Sequence, residues 1–297
     1  APRAWRLKLD TVLRQLGGKP LKSEDCLYVW HNEAGTLKMI CTTHVDDFKG
    51  ACEAHYRQKL LARLEKEFSA LKIKEGRFEC VGVMHEQDPS TFEVWTHQQH
   101  YIPQIKEIPV DGKALVPDEQ PADDDMKQLF MSLVGALAWL ILTMPSICIY
   151  VAYLQRQTQA PVLGHVRKAN RLLRWVRRNQ KRLGLWFRRL RTPLRVMTLS
   201  DSAFKAQDYQ GLVMRGCIIL LMESDEGRSS GGAQASAGLA AGQVVKCQVL
   251  DWYARKHARV VRSTYAAELL SLLDAVGQGN LLATAMDEIW SGVETAV

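Results

Sequence analysis

Apolar residues at three- and four-residue spacing run through positions 3–16 (Trp5, Leu9, Val12, Leu13, Leu16). They predict a helix that Gly17-Gly18 ends. Leu27 to Trp30 and Leu37 to Thr43 read as strands joined by a turn over Asn32 to Gly35. After His44-Val45-Asp46-Asp47 and Phe48-Lys49-Gly50, residues 52–71 carry Tyr56, Leu60, Leu61, Leu64, Phe68 and Leu71 on one helical stripe. Arg77 to His85 reads as a strand with Gly82 inside it. It is paired with Phe92 to Thr96 across an Asp88-Pro89 turn. Val110 to Asp125, rich in Pro and Asp, reads as a linker. Leu129 to Leu154 is an uncharged run of 26 residues. It is long enough to cross a bilayer, but Pro145 splits it, and two short buried helices broken at Met144-Pro145 account for it equally well. Gly164 to Arg195 then reads as a basic amphipathic helix with Leu172, Leu173, Trp175 and Val176 inward. Beyond it, Leu194 to Leu199, Gly216 to Met222 and Val244 to Trp252 are strand-like, Gly227 to Gly242 is a small-residue loop, and 263–276 is a helix. No internal repeat is visible.

The chain of 297 residues is long enough for about two domains, and 47% hydrophobic with 24% charged residues excludes wholesale disorder. The formal charge of +7 favours an anionic partner. That charge is unevenly placed. Between Asp125 and Asp201 lie 75 residues with 14 Lys and Arg and no acid, while the remainder is net acidic. Arg167, Lys168, Arg171, Arg174, Arg177, Arg178, Lys181 and Arg182 project from the predicted helix. Without counter-charges in the segment, phosphate binding is a better reading than a solvated face. Trp175 and Trp186 are able to stack on bases, but their helical positions favour the core. Seven scattered cysteines without a CxxC fit reduced thiols better than a disulfide framework. Cys80, His85, His97 and His100 match no standard zinc spacing. No secretory signal opens the chain, and its ends suggest a piece of a longer polypeptide.

Asp46-Asp47 lies between a β-rich run and an amphipathic helix. Adjacent acids repel, and a divalent cation relieves the repulsion. A two-metal site built on such acids activates an attacking hydroxyl in phosphoryl transfer. A lone acidic pair is most often a surface turn.

The surrounding pattern resembles the palm of a reverse transcriptase, specifically that of the copia-type (Pseudoviridae) retrotransposon Pol polyprotein. Ala1-Pro2-Arg3-Ala4-Trp5 with Leu7 and Leu9 resembles "QAPRAW…KL". Ser23 to Tyr28 resembles "SDPCLY", and His44-Val45-Asp46-Asp47 stands at Tyr-Val-Asp-Asp. Phe78 to His85 resembles "FLGIEI", His100-Tyr101-Ile102 resembles "KYI", and Ser132 to Leu137 resembles "SLVGSLLYL". Ser200 to Phe204 stands for "SDADW". Trp252, with Arg255 and Lys256 in a basic tail, stands for "SWKSKKQ", and Ser263 to Leu272 for "SSTEAEYIAL".

The resemblance implies an α+β chain: the C-terminal part of a polymerase palm over 1–96, a helical basic thumb and connection over 97–193, and a truncated ribonuclease H-like α/β domain over 194–297. It implies RNA-directed DNA polymerase and ribonuclease H chemistry with Mg²⁺, or Mn²⁺ in its place. Asp46 and Asp47 are implied metal ligands of the polymerase, and Asp201 and Glu268 of the nuclease. Pro2, Arg3, His44, Val45 and Gly82 are implied to lie near primer or nucleotide, with His44 in place of the usual Tyr. The basic helix, Arg255 and Lys256 are implied to track the nucleic-acid backbone. The implied partners are an RNA template, a DNA primer, their hybrid, deoxynucleoside triphosphates and the rest of the polyprotein, in a cytoplasmic particle or the nucleus, with no membrane and no secretion. The third polymerase acid falls upstream of Ala1, and no convincing third nuclease acid follows Glu268, so the chain alone is expected to be inactive. Asp274 and the Asp287-Glu288 pair are not promoted to that role. A decayed or co-opted nucleic-acid-binding remnant is the alternative, and a membrane protein anchored by 129–154 the third.

Overall fold

The computed structural model describes residues 2–45, 47–110, 116–203, 213–224, 244–257 and 260–293. Asp46, positions 111–115 of the expected linker and the small-residue stretch 227–242 lie outside the described residues. The chain is mixed α+β with antiparallel sheets. It divides into two compact units, Ala1–Glu75 with Gly277–Val297 and Gly76–Val276, rather than at the expected boundaries near 96 and 193.

The first unit opens with α1 (Pro2–Gln15), whose Leu9, Val12 and Leu13 are buried. Gly17 at φ +88° ends it, with Gly18 N–H donating to Leu13 O at 2.9 Å and Gly17 N–H to Arg14 O at 2.9 Å, a Schellman cap. Strands β1 (Lys19–Pro20), β2 (Leu27–His31), β3 (Leu37–His44) and β4 (Asp47–Cys52) form an antiparallel sheet in that order. Helix α2 (Ala54–Phe68) follows. Tyr28 and Trp30 face the helices with Leu13 and Leu64, while Val29, turned the other way by strand alternation, packs on Leu21 and Ile289. Burial of Leu13, wholly excluded from solvent, contributes about 1.5–3 kcal/mol. The Trp30 indole donates to Leu16 O at 3.0 Å and lies over Gly18, where an added Cβ would come within 2.4 Å of the ring. Gly18→Ala is therefore expected to destabilise the unit by about 1–3 kcal/mol through overpacking, read from urea denaturation.

The second unit begins with the sheet β5 (Arg77–Cys80), β6 (Val83–Gln87), β7 (Val94–His97) and β8 (Leu185–Phe187). The single strand expected over 77–85 is a hairpin. Val81 (φ +48°) and Gly82 (φ +69°) form its two-residue turn, and the Trp139 ring closes over Gly82 at 2.7 Å from a would-be Cβ. Gly82 thus serves a turn and a packing contact. The Asp88 turn forms as expected. Its carboxylate accepts from the Ser90 hydroxyl and the Thr91 and Ser90 amides, which hold it down at a pKa of about 2.

The uncharged run divides as expected at Met144-Pro145. Helix α3 (Asp124–Leu140) is capped by Asp123, which accepts from Met126 N–H at 2.8 Å, and α4 (Cys148–Gln155) follows. Among the described residues no helix is long and apolar enough to cross a membrane. Phe130, Leu137, Ile147 and Val151 share one core with Leu173 of α5 (Leu163–Asn179). Where α3 ends, buried Gln98 donates to Trp139 O at 3.1 Å and accepts from the Thr143 hydroxyl at 3.0 Å, so the terminal polar groups are satisfied.

The basic helix expected to reach Arg195 stops at Asn179. A 3₁₀ turn over Gln180–Arg182 follows, and β8 then pairs with β7, stacking Trp186 on Trp95 at 5.3 Å. Trp186 and Trp175 are both well exposed, contrary to the core reading. A last antiparallel sheet holds β9 (Leu194–Ala203), β10 (Met214–Glu223) and β11 (Cys247–Lys256) in the order β11-β10-β9. Helix α6 (Thr264–Ser291) runs well past the expected end at 276, and its residues from Gly277 belong to the first unit. There Glu288, 2% exposed, accepts from the Lys22 and Ser23 amides and the Ser23 hydroxyl, a structural role. All seven cysteines are free.

Candidate nucleic-acid interface

In the first unit, β3 and β4 meet as a hairpin in which His44 pairs Asp47, so the connection between them is two residues long. Val45, which begins it, sits at φ +55°, a region β-branched residues avoid, and is 71% exposed. The Trp5 indole donates to Val45 O at 2.9 Å. That contact brings Trp5, in the first turn of α1, to this tip, where His44 and Asp47 are exposed; Arg3, two residues earlier, is exposed as well. Asp46 is not described, so Asp47 is the one described carboxylate of the pair. Gly82 belongs to the other unit.

In the second unit, the two acids implied for a nuclease do not converge. Ser202 on β9 is buried, with its hydroxyl donating to Met214 O at 3.4 Å and 3.5 Å from His257 Nε2. Its register partner Arg215 reaches α6 through an ion pair with Asp274, which also lies 3.5 Å from Arg255. Ser202, Arg215 and Arg255 therefore define the sheet face toward α6. The neighbouring Asp201, exposed, falls on the opposite face by strand alternation, and its backbone oxygen accepts from the Ser271 hydroxyl of α6 at 3.1 Å. Glu268 is half-buried beside Ala267 on the helix. Strand alternation thus sets the Asp201 carboxylate on the sheet face away from α6 and Glu268, an arrangement that does not fit a shared Mg²⁺ or Mn²⁺ site. Among the described residues the one trio of close potential ligands is Glu24, Asp25 and Cys26. There Asp25 pairs Arg6 and Glu24 accepts the Cys26 amide. His97 and His100 lie 3.3 Å and 3.8 Å from Glu86 and Glu79, separate contacts with no zinc geometry.

The basic segment divides by role. Arg167 pairs Asp118 and donates to Val116 O at 2.9 Å. Arg177 donates to Glu107 at 3.0 Å and to Ile105 O, and Arg174 lies 3.9 Å from Glu107. These three meet counter-charges from outside the acid-free segment and tie Ile105, Glu107, Val116 and Asp118 to α5, so three of the eight cations expected to face phosphate serve packing instead. Lys168 donates to the Tyr153 hydroxyl at 3.0 Å and lies 5.0 Å from that ring's centroid. Arg171, Arg178, Lys181 and Arg182 are exposed and have no ion-pair partner among the described residues. Lys168, Arg171, Trp175 and Arg178 recur at three- and four-residue spacing, so they share one face about 15 Å long. Arg255 and Lys256 are not a free basic tail. Arg255 lies over the Tyr253 ring at 4.2 Å, and Lys256 is itself engaged.

Sequence reasoning named the cations but missed Tyr150 and Tyr153, hidden in the uncharged run as apparent core. Their i, i+3 spacing opposite Lys168 and Arg171 was the available signal. No family model matches the chain, and neither a curated protein nor a solved structure matches it.

Proposed function

We propose that the chain is a segment of a copia-type retrotransposon Pol polyprotein, covering the rear of the polymerase palm, the thumb and connection and the start of a ribonuclease H-like domain. On its own it binds template–primer without catalysing synthesis or cleavage. The carrying observation is the row of exposed cations Arg171, Arg178, Lys181 and Arg182, without an ion-pair partner among the described residues, on and beyond one helix face. Phosphates are the partner such a row accommodates, because each contact releases a condensed counterion. The motifs quoted above supply the family, and the hairpin carrying Asp47 is a fitting support for a palm's acidic tip. An RNA template, DNA primer and their hybrid are then the ligands, with Mg²⁺ and deoxynucleoside triphosphates entering only where the rest of the polyprotein completes the acids. The setting is the cytoplasmic particle or the nucleus.

Binding is tested by fluorescence anisotropy with a short RNA–DNA hybrid. Affinity is expected to fall steeply between about 50 and 200 mM salt, and a flat profile overturns the proposal. Primer extension by the chain alone, with Mg²⁺ or Mn²⁺, is expected to give no product, and robust incorporation would overturn the inactive assignment. The outward turn of Asp201 from α6 favours a second reading, a remnant that keeps affinity and has lost chemistry. Restoring the upstream palm strand with its acid rescues synthesis under the first reading and not under the second.

A further inference from the structure

We propose that the cleft between α4 and α5 takes one unpaired nucleotide of a single-stranded nucleic acid, its base stacked among Tyr150, Tyr153 and Trp175 and its phosphate held by Lys168 and Arg171. This rests on the nucleic-acid reading above and adds a ligand that a duplex-tracking face does not explain.

The cleft has a volume of about 550 Å³ and is lined by those five side chains with Ser146 and a leucine floor. Tyr150 is 60% exposed, and Tyr153 and Trp175 are each 38% exposed. Three large partly exposed rings surround one concavity. Lys168 lies over the Tyr153 ring and His165 edge-on to it, while neither Tyr150 nor Trp175 has a ring or cation contact among the described residues. The Lys168 ammonium is fixed at the rim by its hydrogen bond to the Tyr153 hydroxyl and its place over that ring. Arg171, one turn on, has no ion-pair partner among the described residues. No acid among the described residues lines the cleft.

The chemistry narrows the occupant. Aromatic walls select a planar ring, two cations at one side select an adjoining anion, and the Ser146 hydroxyl offers a hydrogen bond to a ring edge. A nucleotide joins all three features. A paired base is excluded because its faces are already stacked within the duplex, so the base must come from a single strand. Stacking of this kind is sequence-tolerant, and no base preference is expected to exceed a few-fold.

The test compares oligothymidylate, the same oligonucleotide with abasic sites, and a blunt RNA–DNA hybrid, by anisotropy. Trp175→Ala and Tyr150→Ala are each expected to weaken oligothymidylate binding about tenfold and to leave hybrid binding within about twofold. Trp175→Phe should restore most of the loss, which a merely structural role would not allow without restored stability. The abasic oligonucleotide should bind the parent chain as weakly as oligothymidylate binds Trp175→Ala. Equal binding of abasic and intact strands makes the cleft a bare anion site and overturns the stacking proposal, as does an unchanged affinity in Trp175→Ala. Loss of hybrid and oligothymidylate binding together in that variant, with an unchanged melting curve, also overturns it. If the parent chain binds oligothymidylate but no hybrid, the duplex reading fails while this site stands.

Discussion

Replacing Arg178, Lys181 and Arg182 together by glutamine is expected to flatten the salt dependence of hybrid binding. Between about 50 and 200 mM salt, the parent chain should lose about 40-fold more affinity than the variant. The size follows from counterion release. Each neutralised phosphate contributes a slope of about 0.9 in log affinity against log salt, so a fourfold salt change costs about half a decade per contact. Three contacts give about 1.6 decades. The three side chains are exposed and hold no ion-pair partner among the described residues, so stability should stay within about 0.5 kcal/mol of the parent. Arg177→Gln supplies the contrast. It breaks the bond to Glu107 and the contact with Ile105 O, both of which fasten residues 105–107 to α5, yet it removes no free cation. That variant should lose about 1 kcal/mol, a value kept small because the pair is partly solvated, and should keep the parent salt slope. Equal slopes for the parent and the triple variant would mean that these cations never meet phosphate.

The elements legible in the sequence were those whose information is local. The stripes of α1 and α2 and the Pro145 break rest on spacing and on a missing amide, and each appears within two or three residues of its expected place. The hairpin at Val81-Gly82 was not legible, because a valine at φ +48° is no recognised turn residue and the apolar alternation runs through it. The basic pattern continues past Asn179 without a stop residue until Gly184, where a Cβ would meet the Trp95 indole at 2.2 Å, a partner 89 residues away in the chain. The candidate site was legible as chemistry but not as geometry. Arg167 and Arg177 read as free because Asp118 and Glu107 lie roughly 50 and 70 positions earlier. Asp201 read as a nuclease acid by position. Strand parity decides its direction, and parity has no meaning until one knows which sheet face α6 covers. The resemblance fixed an order of motifs, while side-chain direction depends on packing that a single sequence does not encode locally.

Asn170 illustrates the same point and should produce the largest loss of stability. It reads as one more polar position in a basic helix, yet it is 3% exposed. Its Nδ2 donates to Ile108 O at 2.9 Å and its Oδ1 accepts from Ile108 N–H at 3.0 Å, so one amide pairs both polar groups of a buried residue's backbone. Asn170→Ala leaves that donor and acceptor buried and unpaired, each costing about 1–3 kcal/mol, so the second unit should lose about 3–4 kcal/mol. Asn170→Asp separates hydrogen bonding from packing. The introduced carboxyl group, when ionised, accepts from Ile108 N–H but repels Ile108 O, whereas in its neutral form it donates to that oxygen and restores both bonds. Burial and the carbonyl raise the folded-state pKa of the introduced acid above its unfolded value of about 3.9. The folded state then binds the proton more tightly, and stability is present at low pH and lost as pH rises through the raised pKa. Urea denaturation should therefore rank Asn170→Asp above Asn170→Ala near pH 4 and no better than it near pH 7. A loss under 1 kcal/mol for Asn170→Ala, or no pH-dependent gap between the two variants, would mean that water or a shifted backbone already serves Ile108.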